Sequence, residues 1–312
     1  MECREVPIPS LEPGTLLLKT RCSLICGSDL EYLDGIHGEI EAGMIRGHEF
    51  VAEVAKVGEG VSGWEVGDRA VPISYTPNYG CWADYFVTPP VGVQKVPEHV
   101  PDEEAVFVEP LHTGYGAVEA AGLKPGRSVA IIGAGKIGLL AVMSAKAVGA
   151  APIFAIDIAQ SRLDKAVEVG ATAVYNANEE DLVSQIRNLT KGHPAYPATD
   201  GPDVVIACAR QGEVLDQSLD IVKQGGKVIL AGFAPPTEFD PSVLLMKQIV
   251  MSGIMAGRFG QHRKNGETAL HMLAHKQLDP TPLLSGTMSY EEIQEAIDST
   301  YRGENLAVML KP

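Results

Sequence analysis

Ser128-Val129-Ala130-Ile131-Ile132 is an unbroken apolar run, and it leads directly into Gly133-Ala134-Gly135-Lys136-Ile137-Gly138. A strand with no polar alternation is expected where both faces of a sheet are covered. The glycine spacing G-x-G-x-x-G after such a strand, followed by a helix-compatible stretch to Val148, predicts a strand–turn–helix unit built for close backbone approaches. Further strand-like runs recur at Ile153–Ile156, Asp203–Ala207 and Lys227–Ala231, with helical stretches between them. Strand and helix in alternation predict an α/β domain with a doubly wound parallel sheet. A Gly- and Pro-rich stretch from Gly192 to Pro202 reads as a surface loop.

The rest of the chain has a different texture. Thr15–Thr20 and Phe50–Val57 read as strands, closed by turns at Gly58-Glu59-Gly60 and Val66–Arg69, so the N-terminal part is rich in short β segments. After about residue 257, Gly266–Lys276 and Tyr290–Tyr301 read as amphipathic helices and Leu306–Leu310 as one strand. These pieces are too few for a domain of their own. They are expected to return to the β-rich part. A chain of 312 residues accommodates that division: 1–118, then 119–257, then 258–312 as the return.

Charge and composition exclude several classes. The formal net charge is −15 and no basic run stands out, so a surface tracking nucleic-acid phosphates is not expected. Met1–Pro7 lacks the basic and apolar regions of a secretory signal, and no stretch of 18 apolar residues exists to span a membrane. The 5 cysteines are odd in number and scattered, which argues for a reducing, cytoplasmic setting rather than a disulfide framework.

The glycine motif has a specific use. Gly133 permits the tight turn, Gly135 lets backbone approach a pyrophosphate, and Gly138 lets the helix pack near the strand. The helix start at Lys136 and Ile137 then presents free N–H groups and positive dipole to phosphate. Asp157 ends the next strand, 19 residues after Gly138. A carboxylate there accepts both ribose hydroxyls of NAD and repels the 2′-phosphate of NADP, so NAD is the expected cofactor. Arg162 is placed to stack near the adenine, and a basic residue there also tolerates some phosphate. A doubly wound domain for another nucleotide, or for none, keeps the same pattern.

Three segments of the β-rich part carry residue types suited to zinc: Cys26-Gly27-Ser28-Asp29, Gly47-His48-Glu49 and Val108-Glu109-Pro110. Singly, each also fits a small buried hydrophobe or a satisfied polar residue. Taken with the glycine motif, Val57-Gly58-Glu59-Gly60-Val61, Glu109-Pro110-Leu111 and Gly226–Leu230, they resemble the medium-chain zinc-dependent alcohol and polyol dehydrogenases, in particular the sorbitol- and threonine-dehydrogenase branch. The resemblance runs from Glu5-Val6-Pro7 to the C-terminal Lys311-Pro312.

The resemblance implies a GroES-like catalytic domain beside a Rossmann domain. It implies Cys26, His48 and Glu109 as ligands of one catalytic zinc, with a fourth position open. Glu49 would stand beside the metal or bind it, Asp29 would accept the free ring N–H of His48, and Ser28 would take the alcohol proton. Phe233 is expected near the nicotinamide carboxamide. Arg258 reads equally as a group near the nicotinamide and as a surface arginine, and Tyr32 as a substrate-cleft residue or ordinary packing. The substrate would be a small alcohol or polyol, and a homodimer or homotetramer would form through an edge strand at Val250–Met255.

Departures from the family pattern are also legible. The stretch Pro72–Trp82 holds one cysteine, Cys81, so no structural zinc is expected. Glu31 replaces a histidine that relatives use to pass the proton on, and the chain begins later than relatives do. Two other readings compete: a reductase of activated double bonds with zinc absent or merely structural, and a dinucleotide-binding protein without turnover.

Overall fold

The computed structural model describes residues 1–36, 38, 41, 43–73, 79–190, 200–210, 213–232, 236–255 and 261–312. In chain order the first elements are β1 (Leu16–Leu24), α1 (Gly27–Leu33), β2 (Glu49–Val57), β3 (Arg69–Pro72), β4 (Tyr85–Thr88), β5 (Val93–Lys95), α2 (Asp102–Ala105) and α3 (Val108–Ala121). Next come β6 (Val129–Ile132), α4 (Lys136–Ala147), β7 (Ile153–Asp157), α5 (Gln160–Val169), β8 (Ala173–Asn176), α6 (Leu182–Leu189), β9 (Val204–Ala207), α7 (Glu213–Ile221), β10 (Lys227–Leu230), α8 (Ser242–Lys247) and β11 (Val250–Gly253). The chain ends in α9 (His262–Ala274), β12 (Leu284–Ser289), α10 (Ile293–Tyr301) and β13 (Ala307–Lys311). Two compact units result: Met1–His112 with His262–Pro312, and Thr113–Gln261.

The second unit is a six-stranded sheet in the order β11-β10-β9-β6-β7-β8, and every pairing is parallel. Numbered within the unit this is 3-2-1-4-5-6 read from the β8 edge, the doubly wound order. Its central strands carry no exposed residue, because helices cover them. Helix α4 is buried from Gly138 to Ala145 and needs close backbone approach. A Cβ at Gly138 would fall on the carbonyl of Gly133. The core gathers Ala130, Ile132, Phe154, Ile156, Val205 and Val228 with residues of α6 and α7. Each such Leu, Ile or Phe contributes about 1.5–3 kcal/mol when fully buried.

The first unit is built on a seven-stranded sheet, β12-β13-β1-β2-β3-β5, with β4 also paired to β1. Strand β1 pairs antiparallel with β2, β4 and β13, and β12 runs parallel to β13. Its core includes Phe50, packed edge-on to Tyr79 and Phe86 at 5.3 and 4.7 Å between centroids. The C-terminal return is covalently distant and structurally integral. Met309 and Leu310 pair with Leu24 and Ser23, and Lys276, two residues past α9, donates to both carboxylate oxygens of Glu104 at 2.6 and 2.7 Å.

Several elements differ from the sequence expectation. Strand β1 continues four residues past Thr20 to Leu24, because its far end is paired by β13 from the other end of the chain. Strand β8 is an edge strand of half-buried residues and lacks a clear alternation, so local pattern does not announce it. Helix α9 starts at His262 and ends at Ala274, shifted towards the N-terminus of the expected span. The expected edge strand at Val250–Met255 is β11, regular over Val250–Gly253 and at the border of its sheet. Most of the expected loop at 192–202, with Phe233 and Arg258, lies outside the described residues. No described helix is long and apolar enough to cross a membrane.

Candidate metal and nucleotide sites

The β1–β2 register brings distant residues together. Leu24 pairs with Glu49 and Ser23 with Phe50, so Cys26, just past β1, comes alongside His48, just before β2. One ligand atom each from Cys26, His48 and Glu49 lies within 4.8 Å of the other two. Among the described residues this is the group of three or more His, Cys, Asp or Glu that a metal could bridge. Glu49 and His48 are buried and Cys26 is half-buried. Thiolate, imidazole and carboxylate are the donors that tetrahedral zinc takes, so the residues present fit that ion.

The backbone around His48 is tightly specified. Gly47 has φ +101°, and a Cβ there would lie 2.5–2.8 Å from Trp82 Cδ1, Cys81 Sγ and Trp82 Cγ. Its carbonyl accepts the amides of Tyr79, Gly80 and Cys81 at 3.0, 3.1 and 3.3 Å, and the Arg46 carbonyl accepts Trp82 N–H at 2.9 Å. The turn at residues 79–82 therefore clamps the segment that carries His48. Cys81 itself is fully buried, and burial pushes its thiol well above the usual range. That thiol is a packing group rather than a ready ligand.

Asp29 organises the other side. Its Oδ2 accepts the Cys26 amide at 3.2 Å, which caps the start of α1. Its Oδ1 lies 3.5 Å from His48 Nδ1 and accepts Arg46 Nη2 at 3.2 Å. Burial opposes ionisation of Asp29, but the His48 and Arg46 charges and the Cys26 amide outweigh it and hold the carboxyl below its usual range. Burial likewise opposes a charged His48, and the neighbouring Asp29 and Cys26 outweigh it and raise the imidazole well above its usual value. With Nδ1 turned to Asp29, Nε2 is the nitrogen left for a metal.

Ser28 is half-buried in the first turn of α1, and Glu31 is buried in the same helix. The ring of Tyr32 lies under the Arg46 guanidinium, 4.1 Å from ring centroid to Cζ. Tyr301 from α10 donates to the Leu30 carbonyl at 3.1 Å and to Asp34 Oδ1 at 2.8 Å, tying α1 down. Glu109 is buried in the first turn of α3 and is not part of the Cys26–His48–Glu49 group.

Two residues of this region are not announced by the sequence. Arg46 is buried beside Asp29, yet an arginine between Ile45 and Gly47 carries no local sign of burial. His112, one turn past Glu109, is fully buried, and burial drives its imidazole down to about 4. Neither of its ring nitrogens has a hydrogen-bond partner among the described residues. Its spacing from Glu109 is the one signal that could have found it.

In the second unit, Gly135 is the N-cap of α4 and no side chain caps it. A Cβ on Gly135 would meet nothing within 4 Å, so the space before the helix start is open, as a phosphate there requires. The residues present thus fit a dinucleotide. Lys136 and Ile137 begin the helix and are half-buried. Asp157 is buried at the end of β7. Its Oδ2 accepts the Ala134 amide at 2.7 Å and its Oδ1 the Ala159 amide at 2.9 Å. Arg162 Nη1 lies 3.7 Å from Oδ2. The carboxylate therefore latches the glycine loop, a task the sequence did not reveal, and keeps lone pairs for further donors.

Comparison with known proteins agrees with this geometry. Residues 12–98 match the model of the alcohol dehydrogenase GroES-like domain, and residues 137–275 match that of the zinc-binding dehydrogenases. The chain is 30% identical to the sorbitol dehydrogenase of Bacillus subtilis, over 98% of this chain and 93% of that protein. It is 31% identical to the L-threonine 3-dehydrogenase of Pyrococcus furiosus, over 99% of this chain and 95% of that protein. A zinc-binding dehydrogenase of Sinorhizobium meliloti 1021, solved with NADP bound, superposes with a TM-score of 0.86 at 28% identity, covering 100% of this chain and 96% of that one. The chain belongs to the zinc-dependent medium-chain alcohol and polyol dehydrogenases, oxidoreductases that act on the CH–OH group of small alcohols with zinc and a nicotinamide dinucleotide.

Proposed function

We propose that this chain transfers a hydride between NAD and the secondary hydroxyl of a polyol, sugar or similar small alcohol, at a single catalytic zinc. The observation that carries the reading is the convergence of Cys26, His48 and Glu49 within 4.8 Å. Zinc held there supplies Lewis acidity that eases loss of the proton from an alcohol hydroxyl. Cys26 and His48 are the constant ligands in this reading, and Glu49 and Glu109 are the carboxylates that complete the set. Asp29 holds the His48 ring in one tautomer. Ser28, two residues past Cys26, takes the hydroxyl proton, and Glu31 in the same helix is the next group able to receive it. Tyr32 contributes to the wall against which the alcohol rests.

The nucleotide assignments follow the same logic. The first amides of α4, at Lys136 and Ile137, seat the pyrophosphate, with Gly133, Gly135 and Gly138 giving the backbone its path. The Asp157 carboxylate supports NAD over NADP by repelling a 2′-phosphate, with Arg162 beside it. In this reading the catalytic domain is made of residues 1–118 and 258–312, and the nucleotide domain is 119–257. The exposed Val250 on β11 supports association of copies through that strand, as a homodimer or homotetramer. Five free cysteines support a reducing, cytoplasmic setting.

The test is a panel of polyols, sugars and amino alcohols with NAD reduction as readout, run beside metal analysis. One zinc per chain and turnover on a secondary alcohol are expected. Cys26→Ala is expected to lose zinc and turnover while still binding NADH, and Glu49→Gln and Glu109→Gln each to weaken zinc. Carefully purified protein that holds no zinc would sink the reading, as would Cys26→Ala protein that still turns over.

A further inference from the structure

Among the described residues, Arg46 is the one lysine or arginine that is buried. Taking a guanidinium out of water is costly and is tolerated where its partners are well placed. Arg46 has two. Its Nη2 donates to Asp29 Oδ1 at 3.2 Å, and its Cζ stands 4.1 Å from the centre of the Tyr32 ring. Its Nε has no hydrogen-bond partner among the described residues. The guanidinium is therefore not saturated by structural bonds, and its charge is directed at one carboxylate and one aromatic face.

Asp29 Oδ1 is also the atom that faces His48 Nδ1, at 3.5 Å. Arg46 thus hydrogen-bonds the oxygen that the His48 ring approaches, while Oδ2 is held by the Cys26 amide. The orientation of Asp29 is fixed by two hydrogen bonds, and the one from a permanent charge is that of Arg46. The surroundings are otherwise acidic: Glu31, Glu49 and Glu109 are buried in the same unit. The planar fork of arginine can pair with a carboxylate in its plane and stack on an aromatic ring with its face, which a lysine ammonium cannot do together.

We propose that Arg46 is a positioning residue of the metal site, holding Asp29 in the orientation that fixes His48 and pinning Tyr32 with the face of the same guanidinium. The proposal rests on the zinc reading above. It makes one buried cation responsible for both how tightly the metal is held and where the α1 aromatic wall stands. Groups that orient a metal-bound histidine are worth about 10- to 100-fold in metal affinity.

The test is a double-mutant cycle on zinc affinity, read by competition against a chelator of known affinity, with circular dichroism to confirm folding. Arg46→Met is expected to weaken zinc about tenfold in the otherwise native protein. In an Asp29→Asn background the same substitution is expected to add less than about twofold, because the carboxylate through which Arg46 acts is gone. Arg46→Lys, which keeps the charge without the planar fork, is expected to show the same cancellation with a smaller loss, and it serves where Arg46→Met does not fold. Equal losses in the two backgrounds would overturn the proposal, since a general packing defect is additive. Undiminished zinc affinity in folded Arg46→Met would also overturn it. Native protein that binds no zinc at all would instead bring down the zinc reading on which the proposal stands.

Discussion

Gly138→Ala offers the sharpest test of the nucleotide site, because two effects of opposite sign compete. Alanine is favoured over glycine inside a helix by about 1 kcal/mol, so propensity alone predicts a more stable α4. The new Cβ, however, would fall 2.9 Å from the Gly133 carbonyl carbon and closer still to its oxygen, where ordinary contact begins at 3.4 Å. Backbone cannot yield as a flexible side chain can, so loop and helix must separate by more than half an ångström. A hydrogen bond near 2.9 Å stretched by about 0.6 Å passes the range in which it counts as one. Losing two bonds from the α4 amides to a charged phosphate, at about 1.5–3 kcal/mol each, predicts a loss of NADH affinity of at least about 100-fold. Fluorescence titration with NADH measures it, and zinc content should not change. Gly135→Ala is the control, since its Cβ meets no atom of the described residues within 4 Å. That variant should unfold at native urea concentration and still bind NADH poorly, because the methyl occupies the space a phosphate needs. Gly138→Ala protein that binds NADH within twofold of native would refute the close-approach argument.

Two further outcomes are expected. Gly47→Ala combines a positive φ, about 1–2 kcal/mol for an L side chain, with overpacking against Trp82 and Cys81, about 1–3 kcal/mol, so a loss of about 2–5 kcal/mol in urea unfolding is expected; a loss below about 1 kcal/mol would count against the clamp at residues 79–82. Asp203 carries a pH signature: burial works against its ionisation, but Lys223 and the Ser128 amide and hydroxyl prevail and hold it at about 2. A depressed carboxylate stabilises the fold above its unfolded value of about 3.9, and that contribution is lost as pH falls towards 2. The difference in urea midpoint between native and Asp203→Asn protein should be full at pH 6 and shrink at pH 3, and a gap independent of pH would contradict the assignment.

The nucleotide unit was the more legible part of the chain. The apolar run 129–132, the glycines and Asp157 lie within about thirty residues, so their meaning is local. Strands β8 and β11 are set by their neighbours in the sheet, and a window of sequence does not contain those neighbours. The metal group is legible in another way. Cys26, His48 and Glu49 were all marked by likeness to a family, but their meeting depends on the β1–β2 register, a non-local pairing. The same likeness put Glu109 in the ligand set, whereas the three donors that converge here include Glu49. Arg46 stayed hidden because nothing in Met44-Ile45-Arg46-Gly47 distinguishes a buried guanidinium from a solvated one.

The latch at Asp157 bears on any attempt to redesign cofactor preference. Replacing an acid at this place with a small neutral residue is the natural first move towards accepting a 2′-phosphorylated dinucleotide. Here that exchange would also strand the amides of Ala134 and Ala159, which the two carboxylate oxygens now satisfy. Serine or glycine would satisfy at most one of them, and asparagine keeps a single acceptor oxygen. The loop proposed to seat the pyrophosphate would slacken in the same step that made room for the new phosphate. A working swap in this chain therefore needs a second substitution that re-anchors residues 134 and 159 before selectivity can be gained.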